Sequence, residues 1–401
     1  MGTQRKGAIV GYAEWPTVRR YDGPRRFMLE QWMDLAAEAL ADAGLALEDV
    51  DGLVCGTLRE ANMFVPATVV EYLGQPVKFA EFVDLGGATG TGMLWRAAAA
   101  IELGLCDVVL CALPGLPIPS NPDPRDRPPP EARWLGSTSN AWGSPQAEFE
   151  VPFGNVAQNA GYAMIAAHYE ARFGSCERAR AQITTQQRAS AALNPLAAFY
   201  EKPVTIDEVL ASPMIAEPLR LLEIVMPCAG GAAVVLASPE KAKRSPHRPV
   251  QITGYGESLT IKTPTFAEDL AVTPVAAAAA TAFARAGTTP AAMDLLALYD
   301  CYTITVLLTL EDAGFCPKGT GAAFLAERDL AFDGDFPVNT HGGQLGVGQP
   351  GLAGGLLQPI EAARQLMGRA GPRQVRDVNR ALVTGTGGVM SEQVALILEG
   401  A

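Results

Sequence analysis

Residues 39–54, ALADAGLALEDVDGLV, recur without a gap as residues 282–297, AFARAGTTPAAMDLLA. Ala39, Ala41, Ala43, Gly44, Asp51 and Leu53 in the first copy answer to Ala282, Ala284, Ala286, Gly287, Asp294 and Leu296 in the second. Six identities in sixteen could arise by chance in an Ala-rich chain. The order of elements around them argues for duplication. In both copies an Ala-rich helix stops at Ala-Gly and an Asp-led strand follows. Each half then passes through a Gly-rich turn into a helix, at residues 86–92 and 342–355. Each closes on a strand, at residues 107–113 and 381–385. Such a chain is expected to fold as two similar α/β halves.

The remaining pattern fits this frame. Residues 8–12 and 50–56 predict strands, residues 32–43 a helix ending at Gly44, and residues 93–103 another helix. The alternation predicts βαβ units and a largely parallel sheet. From residue 114 to 152 the texture changes, with Pro128-Pro129-Pro130 and the tryptophans Trp134 and Trp142 among polar residues. A structureless stretch of that length is uncommon in a compact domain, so it reads as an ordered cap loop. Helices are predicted at residues 158–173 and 176–193, and a strand at 225–237. The expected division is residues 1–115 with 225–245 as the N-terminal half, 116–224 as an inserted cap and 246–401 as the C-terminal half.

Composition excludes several functions. With 31 basic and 43 acidic residues the net charge is −12, which argues against nucleic-acid or anionic-membrane binding. Seven dispersed cysteines without a CxxC pair argue against a disulfide framework or a zinc knuckle, and for a reducing cytoplasm. The three histidines, His168, His247 and His341, stand far apart, so no metal site is expected. No signal peptide is evident. The longest apolar run, residues 295–310, contains Asp300 and is too short for a bilayer span.

Local strings carry a resemblance. Tyr169-Glu170-Ala171-Arg172-Phe173-Gly174, Ser212-Pro213-Met214-Ile215-Ala216-Glu217-Pro218-Leu219, Tyr299-Asp300-Cys301-Tyr302-Thr303 and Pro337-Val338-Asn339-Thr340-His341-Gly342-Gly343 look like the sterol-carrier-protein-x branch of the thiolase superfamily. The resemblance covers nearly the whole chain. It implies a thiolase fold: two five-stranded βαβαβ halves in an α-β-α-β-α layering, with an inserted cap. It also implies a homodimer, a coenzyme A thioester as substrate and no covalently bound cofactor.

The site strings depart from a working thiolase. The string resembling CATG reads Gly87-Ala88-Thr89-Gly90, so Gly87 replaces the nucleophilic cysteine. Tyr299 replaces the histidine of HDCF, and Gln349 that of GHP. The nucleophile-less steroid side-chain-cleaving aldolases resemble the chain better. In that group tyrosines carry the proton transfers. One matches Tyr299, and a second falls where this chain has Gln349. The group works with a small OB-fold protein bearing a zinc ribbon, which implies a heterotetramer.

The expected function is therefore an aldolase (lyase) acting on a β-hydroxyacyl-CoA with a bulky steroid or aryl side chain. Retro-aldol cleavage needs a base, stabilisation of an enolate and an acid, but no covalent nucleophile. Tyr299 is the first candidate. Asp300 could orient Tyr299 or a water, or cap a helix. Tyr255, between glycines, is a candidate second proton-transfer tyrosine. His341 could bond in the site or pin its turn. Gln349 could donate to a substrate oxygen. Backbone N–H groups around Gly87, Gly387 and Gly388 could hold the enolate oxygen. Trp134 and Trp142 could line an acyl pocket or pack the loop, and Arg125, Arg127 and Arg133 could meet phosphates. The alternatives are a non-catalytic acyl-CoA-binding or scaffold subunit, and an acyltransferase using Cys301.

Overall fold

The computed structural model describes residues 5–116, 142–262 and 264–401. Its strands are β1 (Ala8–Val18), β2 (Gly52–Cys55), β3 (Phe79–Phe82), β4 (Val108–Pro114), β5 (Met214–Ala216), β6 (Leu219–Arg220), β7 (Ala229–Ala237), β8 (Val250–Leu259), β9 (Leu295–Ala297), β10 (Arg380–Gly387) and β11 (Glu392–Gly400). The helices that matter below are α1 (Met28–Ala43), α2 (Val65–Leu73), α3 (Thr89–Glu102), α4 (Pro145–Phe149), α5 (Gln158–Phe173), α6 (Glu177–Ala191), α7 (Ile206–Ala211), α8 (Pro239–Ala242), α9 (Val275–Ala286), α10 (Thr303–Asp312), α11 (Gly321–Ala326), α12 (Gly343–Val347) and α13 (Gly354–Leu366).

The repeat folds the same way twice. Helices α1 and α9 both end on a left-handed glycine, Gly44 (φ 67°) and Gly287 (φ 63°), whose N–H groups close the last turn. After each comes a short 3-10 turn and a buried strand, β2 or β9. The matched aspartates do the same work. Asp51 accepts from the N–H groups of Asp107 and Val108 at 2.7 and 2.9 Å. Asp294 accepts from those of Asn379 and Arg380, both at 2.9 Å. Each pins the start of the parallel neighbour strand, β4 or β10.

The sheet order is β3-β2-β4-β7-β1-β8-β11-β10-β9. The halves meet edge to edge at β1 and β8 through two register pairs, Ala8 with Gln251 and Ile9 with Val250. The sheet is mixed, which corrects the expectation of a largely parallel one. Among the described residues only β2 with β3, β2 with β4, and β9 with β10 run parallel; the central pairings are antiparallel. Parallel pairing needs a crossover, and helices supply it only in the outer parts of each half. Expecting five strands in each half also needs correcting. Among the described residues the second half has four, and its fifth position shrinks to one parallel bridge between Leu296 and Val338.

Alternation along the strands sorts the layers. Val54, Val109, Val383 and Leu396 face the middle, where α3 and α13 pack with Met93, Leu94, Leu357 and Ile360. Leu53 and Leu110 face outward onto α1 and α2. Leu382 and Ile397 face outward onto α9 and α10, with Tyr162 and Ile165 of α5 in the same cluster. The result is the five-layered α-β-α-β-α arrangement of the thiolase fold.

Candidate active site

The carboxyl ends of the parallel strands converge, as expected for ligand sites in α/β sheets. The chain beyond β3 turns through Gly86 and Gly87 into α3, and the chain beyond β9 delivers Tyr299. Strand β10 ends at Gly387. The would-be Cβ of Gly86 lies 3.3 Å from the Gly388 nitrogen, so the two Gly-rich turns touch.

Tyr299 lies two residues beyond β9, held on both sides. Asn339 brackets the preceding residue: its Oδ1 accepts from Leu298 N–H at 2.8 Å and its Nδ2 donates to the Leu298 carbonyl at 2.9 Å. The Tyr299 N–H donates to Thr384 Oγ1 at 3.0 Å. The ring is buried and its hydroxyl accepts from Gln349 Nε2 at 3.0 Å. A Cβ on Gly87 would overlap the Tyr299 hydroxyl and the Thr386 carbonyl oxygen. The space that a residue-87 side chain would need is filled by the phenol.

Burial pushes the Tyr299 phenol well above its ordinary pKa, against the pull of the Gln344 and Gln349 amides. It is therefore protonated at neutral pH and suited to donating a proton. Cys301 lies close by; burial pushes its thiol up to about 12, which disfavours the thiolate a nucleophile needs. Its sulfur lies 3.3 Å from the Tyr162 hydroxyl, and that hydroxyl donates to the Gly388 carbonyl at 3.0 Å. Tyr162, on cap helix α5, stacks on Tyr302 at 4.0 Å between ring centres. Sequence reasoning missed Tyr162 and Gln344. Tyr162 reads as an ordinary helix residue, and only its neighbours across the fold reveal it.

Several expected site residues stand elsewhere. Asp300 points away from Tyr299, as successive side chains do. It accepts from the N–H groups of Gln344 and Leu345 at 2.8 and 3.1 Å and from Gln358 Nε2 at 3.0 Å, capping α12. Burial raises its pKa to about 7. Tyr255 is not brought to the cluster. Its hydroxyl lies 3.2 Å from Glu102 Oε2 and its ring stacks on Trp95. The glycines beside it, Gly254 and Gly256, admit the backbone of α9 rather than a ligand: a Cβ on either would overlap the carbonyl of Ala282 or Ala278. His341 packs into a buried charge cluster with Glu361, Arg364 and Arg373, and burial lowers its pKa to about 4. Its carbonyl accepts from Asn194 Nδ2 at 3.1 Å, which pins the turn. Trp142 is 96% exposed. Trp134, Arg125, Arg127 and Arg133 lie outside the described residues.

Two grooves border the cluster. One, of about 540 Å³, is lined by Ile165, Ile261, Pro264, Phe266, Val389 and Met390, next to Gly388. Another, of about 390 Å³, runs past Cys228 and residues 113–116, beside the Gln349 strand bridge. A third, of about 590 Å³, lies at the other end of β9, around Asp294 and Asp335. Among the described residues no three His, Cys, Asp or Glu side chains gather as metal ligands would, and no helix is long and apolar enough to cross a membrane.

A duplicated five-layered chain whose two Gly-rich turns meet at one buried polar cluster is a thiolase-fold protein. Comparison agrees. Residues 256–400 match the family described as Thiolase C-terminal domain-like. A steroid side-chain-cleaving aldolase of Thermomonospora curvata is 31% identical over 382 residues, 91% of this chain and 92% of that one. The 17-hydroxy-3-oxo-4-pregnene-20-carboxyl-CoA lyase of Mycobacterium tuberculosis is 32% identical over 375 residues, 90% and 93% of the two chains. Among solved structures, the Ltp2-ChsH2(DUF35) aldolase superposes with a TM-score of 0.84 at 30% identity, over 98% of each chain. The chain belongs to the thiolase superfamily, and within it to the thiolase-like aldolases.

Proposed function

We propose that this enzyme cleaves the Cα–Cβ bond of a β-hydroxyacyl-CoA, with Tyr299 as its proton donor. The observation that carries the reading is the Tyr299 hydroxyl occupying the space of a side chain at position 87. A thioester placed there meets a proton donor instead of a sulfur nucleophile. Cleavage leaves a ketone or aldehyde on one fragment and a thioester enolate on the other. A water takes the hydroxyl proton as the bond breaks; Tyr299 then delivers its proton to the α-carbon, and the phenolate so formed is reprotonated from that water, which restores the site. N–H groups at Gly87, Gly387 and Gly388 hold the enolate oxygen; such donors are worth ~3 kcal/mol each. Gln349 orients the phenol. No role falls to Asp300, His341 or Tyr255 in the proton transfers.

The groove beside Gly388 takes a bulky apolar side chain. Its mostly apolar lining, which also includes Glu268 and Asp269, and its volume of about 540 Å³ suit a steroid or aryl group. The protein works as a homodimer in the cytoplasm. Edge strand β3 and the neighbouring Met63, Phe64 and Phe82, with Phe64 75% exposed, supply an apolar face for a second copy. The similarity to an aldolase solved as Ltp2-ChsH2(DUF35) supports a small OB-fold zinc-ribbon partner in a heterotetramer. Residues 1–115 with 225–245, 116–224 and 246–401 are its three parts; β7 lying between β4 and β1 supports the first.

The test is incubation with a panel of β-hydroxyacyl-CoA thioesters, with and without a co-expressed partner, followed by mass spectrometry. The expected products are a carbonyl compound and a shortened acyl-CoA, without free coenzyme A. Release of coenzyme A with acyl transfer, or binding without any product, would overturn the reading.

A further inference from the structure

A buried side-chain amide left without hydrogen bonds is costly, and native proteins keep few of them. Gln344 is one. It is wholly buried, and among the described residues neither its Nε2 nor its Oε1 completes a hydrogen bond. Its backbone is fixed: its N–H donates to Asp300 and its carbonyl accepts from Gly348 N–H at 2.8 Å. The amide sits in a recess that Gly354 leaves open. A Cβ there would lie 2.9 Å from Gln344 Oε1 and 3.1 Å from Gln349 Cγ. Gln344 therefore flanks the same phenol that Gln349 already bonds, close enough to favour its anion.

We infer that Gln344 is a positioning residue for Tyr299: its amide is held ready to donate to the phenolate oxygen formed when Tyr299 gives up its proton. The inference rests on the aldolase reading. In the resting state the phenol oxygen already accepts from Gln349, and the second amide waits. Once the O–H bond breaks and the new C–H bond forms, the oxygen carries a full negative charge and can accept twice. The other titratable groups acting on Tyr299 or its neighbour Tyr162 are acids, Asp300, Cys301 and the tyrosines, which make that charge harder to hold. A donor that is idle in the ground state and engaged afterwards lowers the barrier without tightening substrate binding. This accounts for a buried amide kept at a cost to stability.

The test has two arms, applied to Gln344→Leu and to the length-matched Gln344→Met. First, a fluorinated tyrosine that ionises near neutrality is placed at position 299 and titrated by absorbance in ligand-free protein. Its ionisation is expected to move up by about one pH unit in either variant, a tenfold change. An unchanged midpoint overturns the inference, and this arm needs no turnover. Second, deuterium exchange from D2O into the α-carbon of a short acyl-CoA is expected to slow ~100-fold, with the acyl-CoA Kd unchanged. Exchange at the wild-type rate also overturns the inference. Wild-type protein that neither exchanges nor cleaves, yet shows the titration shift, overturns the aldolase reading and leaves the Gln344–Tyr299 coupling standing. Thermal unfolding checks folding: loss of an idle buried amide should hold or raise Tm.

Discussion

The two halves build the same turn and fill it differently. Gly86-Gly87-Ala88 forms a 3-10 turn into α3, and Gly351-Leu352-Ala353 forms one into α13. Gly86 and Gly351 are both left-handed, with φ of 55° and 58°. Gly90 and Gly355, four residues on in each, touch backbone to backbone. Extending the repeat register beyond residue 54 sets Gly56 against Tyr299. The contacts are then exchanged. In one pair Gly87 faces Tyr299; in the other Leu352 lies 3.8 Å from the would-be Cβ of Gly56. Large faces small in both, so both pack. Only one of the pairs includes a hydroxyl. Duplication supplies two equivalent places at the pseudo-symmetric centre, and in the proposed mechanism a single exchange of size and polarity sets one of them apart as the reactive one.

The comparison breaks most plainly at the phenol. Tyr299→Phe keeps the packing and removes the proton, so kcat for cleavage should fall ~10²–10⁴-fold. Circular dichroism and Tm should be unchanged. Activity surviving the change would make the two centres equivalent after all.

A second contrast lies in the layer between them. Where α13 buries Glu361 with Arg364 and Arg373, each pair at 2.7 Å, α3 carries Arg96 paired with Glu81 and Glu257 nearer the surface. The second half alone therefore has the buried neutral His341. Its folded pKa, about 4, lies below its unfolded value near 6.5. The stability it contributes is present above pH 6.5 and lost as pH falls towards 4. That shift corresponds to about 3 kcal/mol. Asp300, raised to about 7, works in the opposite sense: its share is present below pH 3.8 and lost as pH rises through 7. The difference between wild type and His341→Leu in denaturant titrations across pH 4–6.5 isolates the histidine. Parallel profiles would remove it from the acid response.

The smallest effect sharpens the comparison best. Gly87→Ala drives a methyl into the Tyr299 hydroxyl, while Gly56→Ala meets the flexible end of Leu113 at 2.8 Å. Both should destabilise by ~1–3 kcal/mol from overpacking. Only Gly87→Ala should also slow cleavage, by less than Tyr299→Phe does. Equal losses of activity would show that position 87 matters for packing alone.

The framework was legible because it rests on local rules. Ala-Gly helix ends, the Asp that starts each strand and the turns at residues 86–92 are written in adjacent residues, and their repetition revealed the duplication. Gly87, Tyr299 and Gln349 were legible by their places in strings that resemble a family. Strands β3 and β11 were not foreseen, since β3 is short and half-exposed and β11 lies beyond the repeat. For Asp300 and His341 the sequence left a site role and a structural role open, and the contacts found are structural: one caps α12 and the other packs against Glu361.

By itself, then, the sequence determined two α/β halves, the loss of a cysteine nucleophile and a candidate tyrosine at a histidine position; that its phenol fills the residue-87 space was decided by the fold. The tertiary structure alone decided which polar groups meet. Tyr299, Gln349, Gln344 and Tyr162 come from the segment beyond β9, the Gly348 turn, α12 and α5, at sequence separations of up to 187 residues. Tyr255 was sent elsewhere by the packing of α9 against its flanking glycines. Periodicity reports which face of an element is buried. What that face meets depends on how distant layers stack, and only the folded chain brings those layers together.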